Sequence, residues 1–385
     1  MEKRYRYLII QNIVSPYKAL LFKAMKCISD DPFKVLFIAE TRSMREWNLP
    51  KNTESLGFPF EVMFDGNLEN VGTVEMLMKT LRRLDYYRPE LVVIGGYNQS
   101  SYWGALAWAK KNRKKIMLIN ESHFLDKPRL YFKESIKRLF VRNCDAALVD
   151  GARHKDYTMS LGLSPERIFV KGGTGPVDVS WYQREVLQIR SRKQEVCKEL
   201  GLPSKNFLFV GRFAPEKNII TLLNAYKRLK EQGASNWGLI LAGNGPLRDE
   251  IVDFIDANGV RGVSLPGFMQ QEELIRYYAV SDVFVLPSVS EPWGLVVSEA
   301  MASGLPVIVS RKCGCYPDIV HDGVNGFSFN PLDEEELYSL MCRVSNGGCK
   351  LDEMGRASLS IIKDYTPEKA ARTVVDAVRF VLNDE

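Results

Sequence analysis

Two glutamates eight positions apart, Glu291 and Glu299, lie in the stretch SEPWGLVVSEAMASGLPVIVS, and Gly294 opens the apolar run between them. Leu295 onward reads as a helix stopped by Gly304, so Gly294, Leu295 and Val296 form a first turn whose amide N–H groups suit a phosphate. Glu291 stands in the loop before that turn. Glu299 lies about one and a half turns in, roughly 7–8 Å along the axis. A carboxylate among Val, Ala and Met is costly to bury unless it accepts hydrogen bonds, and the vicinal hydroxyls of a sugar or ribose are matched donors. The plainer alternative is an exposed glutamate on the helix and a capping one in the loop.

A second group lies upstream. Gly211-Arg212-Phe213-Ala214-Pro215-Glu216-Lys217 follows the apolar run FLFV and leads into a helix at Asn218. A glycine lets backbone approach a ligand, and two cations beside a helix start suit a diphosphate; solvated surface charges are the bland reading. After GLILA comes Gly243-Asn244-Gly245-Pro246, which reads equally as a phosphate loop or as a strand-to-helix turn. After GVSLP comes Gly267-Phe268, open backbone with an aromatic that could hold a planar base.

These groups need strands to carry them. Short β-branched runs alternate with helical patterns through the whole chain: YLIIQNIV, FKVLFIAE, FEVMF, LVVIGG, KIMLIN, AALVDG and RIFVKGG, then FLFVGRF, GLILAGNGP, GVSLPGFM, DVFVLPS, PVIVS and GFSF. Near-continuous apolar strands separated by segments of 3.6-residue period indicate parallel βα units, an α/β class. The pattern pauses in the Gly/Pro cluster from Gly172 and restarts near Leu200. At 385 residues, two doubly wound, Rossmann-like domains are expected, over 1–185 and 186–365. The last helix, 366–385, has no strand after it and is expected to pack back on the first domain. Such sheets bind ligands outside the carboxyl ends of their strands, so two facing domains leave a cleft lined by these loops. His123, after KIMLIN, would then point into that cleft, although a lone histidine is usually structural.

Composition narrows the classes further. The net charge of +5 divides into 34 Lys/Arg against 23 Asp/Glu in residues 1–200 and 18 against 24 in the rest. Much of the excess sits in KKNRKK and in Lys127 to Arg142, which reads either as solubility or as a face for anionic lipid or a phosphate-bearing acceptor. No base-reading motif is present, so nucleic acid is not an expected partner. No apolar run is long enough to cross a bilayer and none resembles a signal peptide; a cytoplasmic protein, peripheral at the inner membrane face, is expected. Seven cysteines fit a reducing compartment, and the close pair Cys313-Gly-Cys315 is expected to be structural.

The E-x7-E of Glu291 and Glu299, EAMASGLPVIVS, the G-R-x4-K of Gly211 to Lys217 and the later GVNGFSF together resemble the retaining glycosyltransferases of family GT4. The resemblance is specific over roughly residues 205–335 and loose before them. It implies the GT-B fold and transfer of a sugar from a nucleotide-diphosphate-sugar, a UDP-sugar first and a GDP-sugar second, to a glycan, glycolipid or polysaccharide precursor. By the resemblance Arg212 and Lys217 neutralise the leaving diphosphate, and Gly294, Leu295 and Val296 bind it through amides. Glu291 holds the sugar and Glu299 the ribose. Gly211, Gly243, Asn244, Gly245, Gly267 and Phe268 line the donor pocket, and His123 lies near the donor sugar.

Two positions depart from the family. The loop after the first strand is Val14-Ser15-Pro16-Tyr17-Lys18 where glycines are common, leaving Ser15 or Tyr17 to make contacts; Asp318 stands where glutamate is common. No D-x-D occurs, so neither a metal nor another cofactor is expected. Without a carboxylate placed as nucleophile, front-face substitution is the implied route. A nucleotide-sugar epimerase and a non-catalytic sugar-nucleotide binder remain as alternatives.

Overall fold

The computed structural model describes residues 5–43, 53–233 and 236–383. Among the described residues thirteen strands are present. In the first half they are β1 (Tyr7–Ile13), β2 (Phe33–Thr41), β3 (Phe60–Asn67), β4 (Leu91–Ile94), β5 (Lys115–Asn120), β6 (Ala146–Val149) and β7 (Ile168–Val170). They form one sheet in the order β3-β2-β1-β4-β5-β6-β7, with every pairing parallel. In the second half, β8 (Lys205–Val210), β9 (Trp237–Ala242), β10 (Val263–Gly267), β11 (Val283–Leu286), β12 (Val307–Ser310) and β13 (Gly326–Phe329) form a parallel sheet in the order β10-β9-β8-β11-β12-β13. Both sheets are doubly wound, as the GT-B class requires, and each strand run read from the sequence is a strand.

Each sheet's order reverses beside its first strand, between β1 and β4 and again between β8 and β11. Loops leaving the carboxyl ends of two such strands diverge there and leave room for a ligand.

The continuous apolar runs have a direct cause. Successive strand residues point to opposite faces. Leu8 and Ile10 enter one buried cluster of the first sheet, and Tyr7 and Ile9 the other. Both faces are covered, so alternation with polar residues is not needed.

The chain divides into two compact units: residues 1–124, 128–176 and 367–385, and residues 125–127 with 177–366. The division near the middle falls at 176/177, earlier than the expected 185/186, because helix Val179–Arg190 packs with the second unit. Its Tyr182 meets Tyr278 edge-on, and Arg190 donates to the carbonyls of Ala279 and Ser303. Helix Pro367–Leu382 belongs to the first unit and packs on helix Pro16–Ile28. Ala370, Ala371 and Ala377 permit that close approach, and Val374, Val378 and Val381 join the cluster around Tyr7 and Phe22. Residues 384–385 of the expected last helix lie outside the described residues. Among the described residues no helix is long and apolar enough to cross a membrane.

Candidate functional site

In the second unit, four neighbouring strands deliver their carboxyl ends to one edge of the sheet, and each of the singled-out loops begins there. Gly211–Lys217 leaves β8, Gly243–Pro246 leaves β9, Phe268 follows β10, and Glu291–Val296 lies beyond β11. Backbone hydrogen bonds join these loops in the order of the strands. Gly243 N–H donates to Gly267 O, Gly211 N–H to Ala242 O, and Phe213 N–H to Asn244 O. Val289 N–H donates to Glu216 O, which ties the β8 loop to the β11 loop.

The glycines of Gly243-Asn244-Gly245 are explained by this packing. A Cβ on Gly243 would lie 1.9 Å from the carbonyl oxygen of Gly211, and one on Gly245 2.5 Å from that of Phe213. Of the two readings offered for this loop, the tight strand-to-helix turn accounts for both residues. Gly267 faces open space, and Phe268 is exposed beside it.

Asn218 holds the next junction. It sits in the left-handed region at φ 56° immediately before helix Ile219–Glu231. Its Nδ2 donates to the carbonyls of Pro287 (3.2 Å) and Pro331 (2.9 Å), and its Oδ1 accepts from Thr221 Oγ1 at 2.8 Å. One side chain thus binds the β8 loop to the ends of β11 and β13. In the sequence its only signal is an asparagine where the helix begins.

The charged residues are paired across the switch point. Lys217 Nζ forms an ion pair with Glu291, both side chains largely covered, although 74 residues separate them. Arg212 pairs with Glu216 on the more exposed side of the same turn. Burial alone would raise the Glu216 carboxyl. The amide of its own backbone, the Arg212 guanidinium and the charge of Lys217 outweigh burial and hold it below the ordinary glutamate range.

Helix Leu295–Ala302 starts as expected. Gly294 is its N-cap at φ 100°, a conformation that a side chain resists, and no side chain caps the turn. Leu295 and Val296 are half-exposed, so their amides lie at a reachable helix start. Glu299, by contrast, is 2% exposed and accepts a 2.6 Å hydrogen bond from Tyr278 Oη. The exposed-helix alternative is thereby excluded. Tyr278, on helix Gln271–Val280, had no signal in the sequence beyond that of a core aromatic.

The Glu291 loop rests on Cys313-Gly314-Cys315. Gly314 N–H donates to Glu291 O and Cys315 N–H to Trp293 O, both at 3.0 Å. Both cysteines are fully buried, and all seven are free of disulfides. Among the described residues no cluster of three His, Cys, Asp or Glu side chains is placed to hold a metal ion.

In the first unit the expectations change. His123 is fully buried, and its ring meets His154 edge-on at 5.0 Å. Close by in sequence, Asp150 forms a buried pair with Lys171 and accepts from Thr174 Oγ1 at 2.6 Å. Burial would raise the Asp150 carboxyl, but Lys171, then His154, and the hydrogen bonds to it hold it below the usual range. Ser15 caps helix Pro16–Ile28, accepting from Lys18 N–H at 3.4 Å, so the glycine-poor loop serves a helix start. Tyr17 packs against the backbone of Gly175, where an added Cβ would lie 2.5 Å from the Tyr17 Cβ. Asp318, the second departure, is half-buried and its carbonyl accepts from Tyr365 Oη at 3.2 Å.

Residues 193–358 match the family model described as Glycosyl transferases group 1. Among curated proteins, the sulfoquinovosyl transferase SQD2 of Arabidopsis thaliana is 32% identical over 274 residues, 68% of this chain and 51% of that protein. The alpha-monoglucosyldiacylglycerol synthase of Acholeplasma laidlawii is 28% identical over 243 residues, 62% of this chain and 58% of its own. The chain thus spans little more than half the length of these curated relatives. Among solved structures, Anabaena Alr3699/HepE in complex with UDP superposes with a TM-score of 0.74 at 17% identity, covering 97% of this chain and 100% of that one.

Proposed function

We propose, from the match of residues 193–358 to the glycosyl transferases group 1, that the protein moves a sugar from a nucleotide-diphosphate-sugar to a hydroxyl of a glycan or lipid-linked acceptor, with retention and without a metal. A uridine donor is favoured by the UDP in the HepE structure, with a GDP-sugar second. A lipid acceptor is favoured by the name of the Acholeplasma relative, and peripheral contact with an anionic membrane goes with it. Membership in a family of transferases favours transfer over epimerisation.

The observation that carries the reading is the Lys217–Glu291 pair at the switch point of the second sheet, beside an uncapped helix start. Breaking the sugar–phosphate bond leaves negative charge on the diphosphate. Lys217, Arg212 and the amides of Leu295 and Val296 supply positive potential for that charge. Glu291 accepts from hydroxyls of the transferred sugar, and in doing so shares the cation that faces the phosphate. Glu299, held by Tyr278, accepts from the ribose.

In the front-face route the C1–oxygen bond to phosphate breaks as the acceptor oxygen bonds C1 from the same side. The acceptor proton passes to the departing phosphate oxygen, and the nucleoside diphosphate leaves. Asp150 and Lys171 neutralise one another in the first unit.

The test is a thermal-shift panel of nucleoside diphosphates, followed by NMR of the product's anomeric configuration in the presence of EDTA. Retained configuration and unchanged turnover support the reading. Inversion, dependence on a divalent ion, an epimer formed from donor alone, or binding with no turnover on any acceptor would each overturn a stated part of it.

A further inference from the structure

Helix Tyr131–Arg142 of the first unit carries apolar residues on two sides. Phe140 and Val141 are buried in the sheet's core. Phe132, Ile136 and Leu139, spaced i, i+4, i+7, form a second stripe that faces solvent, with Phe132 74% and Leu139 62% exposed. Leu130 and Tyr131 extend the stripe, Tyr131 being 83% exposed. Five large apolar side chains exposed within ten residues exceed what a solvent-facing helix ordinarily carries.

The charges around the stripe have one sign. Residues 128–142 hold five cations, Arg129, Lys133, Lys137, Arg138 and Arg142, against one acid, Glu134. Glu134 is occupied by Lys137 Nζ at 2.7 Å and Tyr157 Oη at 2.8 Å. Lys133 and Arg142 are exposed. An apolar stripe flanked by exposed cations, with its one acid paired to Lys137, is the arrangement of a helix that lies in a lipid interface. A two-fold contact with a second copy would set the same cations opposite one another, and a neutral surface would leave them unmatched.

We propose that this helix face is the seat for an anionic lipid surface, with Phe132, Ile136 and Leu139 entering the headgroup boundary and Lys133 and Arg142 meeting the lipid charge. The proposal rests on the peripheral-contact reading above and narrows it to one helix.

The test is sedimentation of the full chain with vesicles of phosphatidylcholine alone or enriched in phosphatidylglycerol. The wild type should bind the anionic vesicles and lose that binding as salt rises. The pairs Phe132→Ser with Leu139→Ser, and Lys133→Glu with Arg142→Glu, should each lower partitioning roughly tenfold or more. Their melting temperatures and their thermal shifts with UDP should remain those of the wild type, since none of these residues lies in the second unit. Wild-type binding that survives in both pairs would overturn the seat while leaving peripheral contact standing. Absence of wild-type binding, or equal binding to neutral vesicles, would overturn both. A dimer seen by light scattering that the serine pair dissolves, without vesicle binding, would replace lipid by self-association.

Discussion

Replacing Lys217 with alanine removes the cation that faces Glu291 at a site proposed to hold a diphosphate. Two unit charges about 4 Å apart interact by about 4 kcal/mol at an effective dielectric of about 20. Water entering the vacated space reduces the loss, so about 2–3 kcal/mol of transition-state stabilisation is expected, a fall of about 30- to 150-fold in kcat/KM. The Glu291 charge makes the variant worse than a simple deletion, because a carboxylate no longer offset by Lys217 then repels the leaving phosphate. The double variant Lys217→Ala with Glu291→Gln separates the two effects. If Lys217 acts on the phosphate directly, neutralising Glu291 recovers UDP binding in part and leaves turnover low. Isothermal titration with UDP and initial rates with the donor identified by thermal shift provide both readouts. Full recovery of turnover in the double variant would mean that Lys217 serves only to hold Glu291, and near-normal turnover in the single variant would remove the anion site altogether.

Tyr278→Phe should cost about 1–2 kcal/mol of stability by taking a donor from the buried Glu299 carboxylate, and should weaken UDP binding while leaving the circular dichroism of the folded protein unchanged; unaltered UDP affinity would detach Glu299 from the ribose. Gly243→Ala sets a methyl 1.9 Å from the Gly211 carbonyl oxygen and should destabilise the second unit by about 1–3 kcal/mol in urea titration, so a wild-type midpoint would contradict the close approach of the two loops. Asp150, its carboxyl held low in the fold, contributes stability above the unfolded aspartate pKa of about 3.9 that is lost as pH falls through the folded value. The melting difference between wild type and Asp150→Asn, large at neutral pH because Lys171 is left buried and unpaired, should therefore narrow below about pH 4, and a difference constant with pH would refute the pairing.

The strands were legible because strands buried on both faces write themselves as unbroken apolar runs, most of them ended by a glycine or proline loop. The loops of the second unit were legible for a related reason: glycine, cation and helix start fall together at a strand's carboxyl end, where position in the fold and position in the sequence coincide. Pairings between loops were not legible. Nothing local joins Lys217 to Glu291; their meeting follows from β8 lying beside β11, a fact of strand order. Tyr278 reads as an ordinary core aromatic until Glu299 turns inward to meet it. His123 follows a strand as the loop residues do, yet its ring is enclosed beside His154, which the strand-end rule does not foresee. The division falls at 176/177 rather than 185/186 because Tyr182 and Arg190 choose their side through partners about ninety or more positions away.

The return of helix Pro367–Leu382 to the first unit has a consequence for how the molecule is made. A ribosome completes the second unit, residues 177–366, before it releases the segment that covers Tyr7, Ile9 and Phe22. The part begun first is thus finished last, and its apolar wall waits uncovered through most of synthesis. Shortening the carboxyl terminus by a few turns would strike the amino-terminal half, far along the chain from the cut.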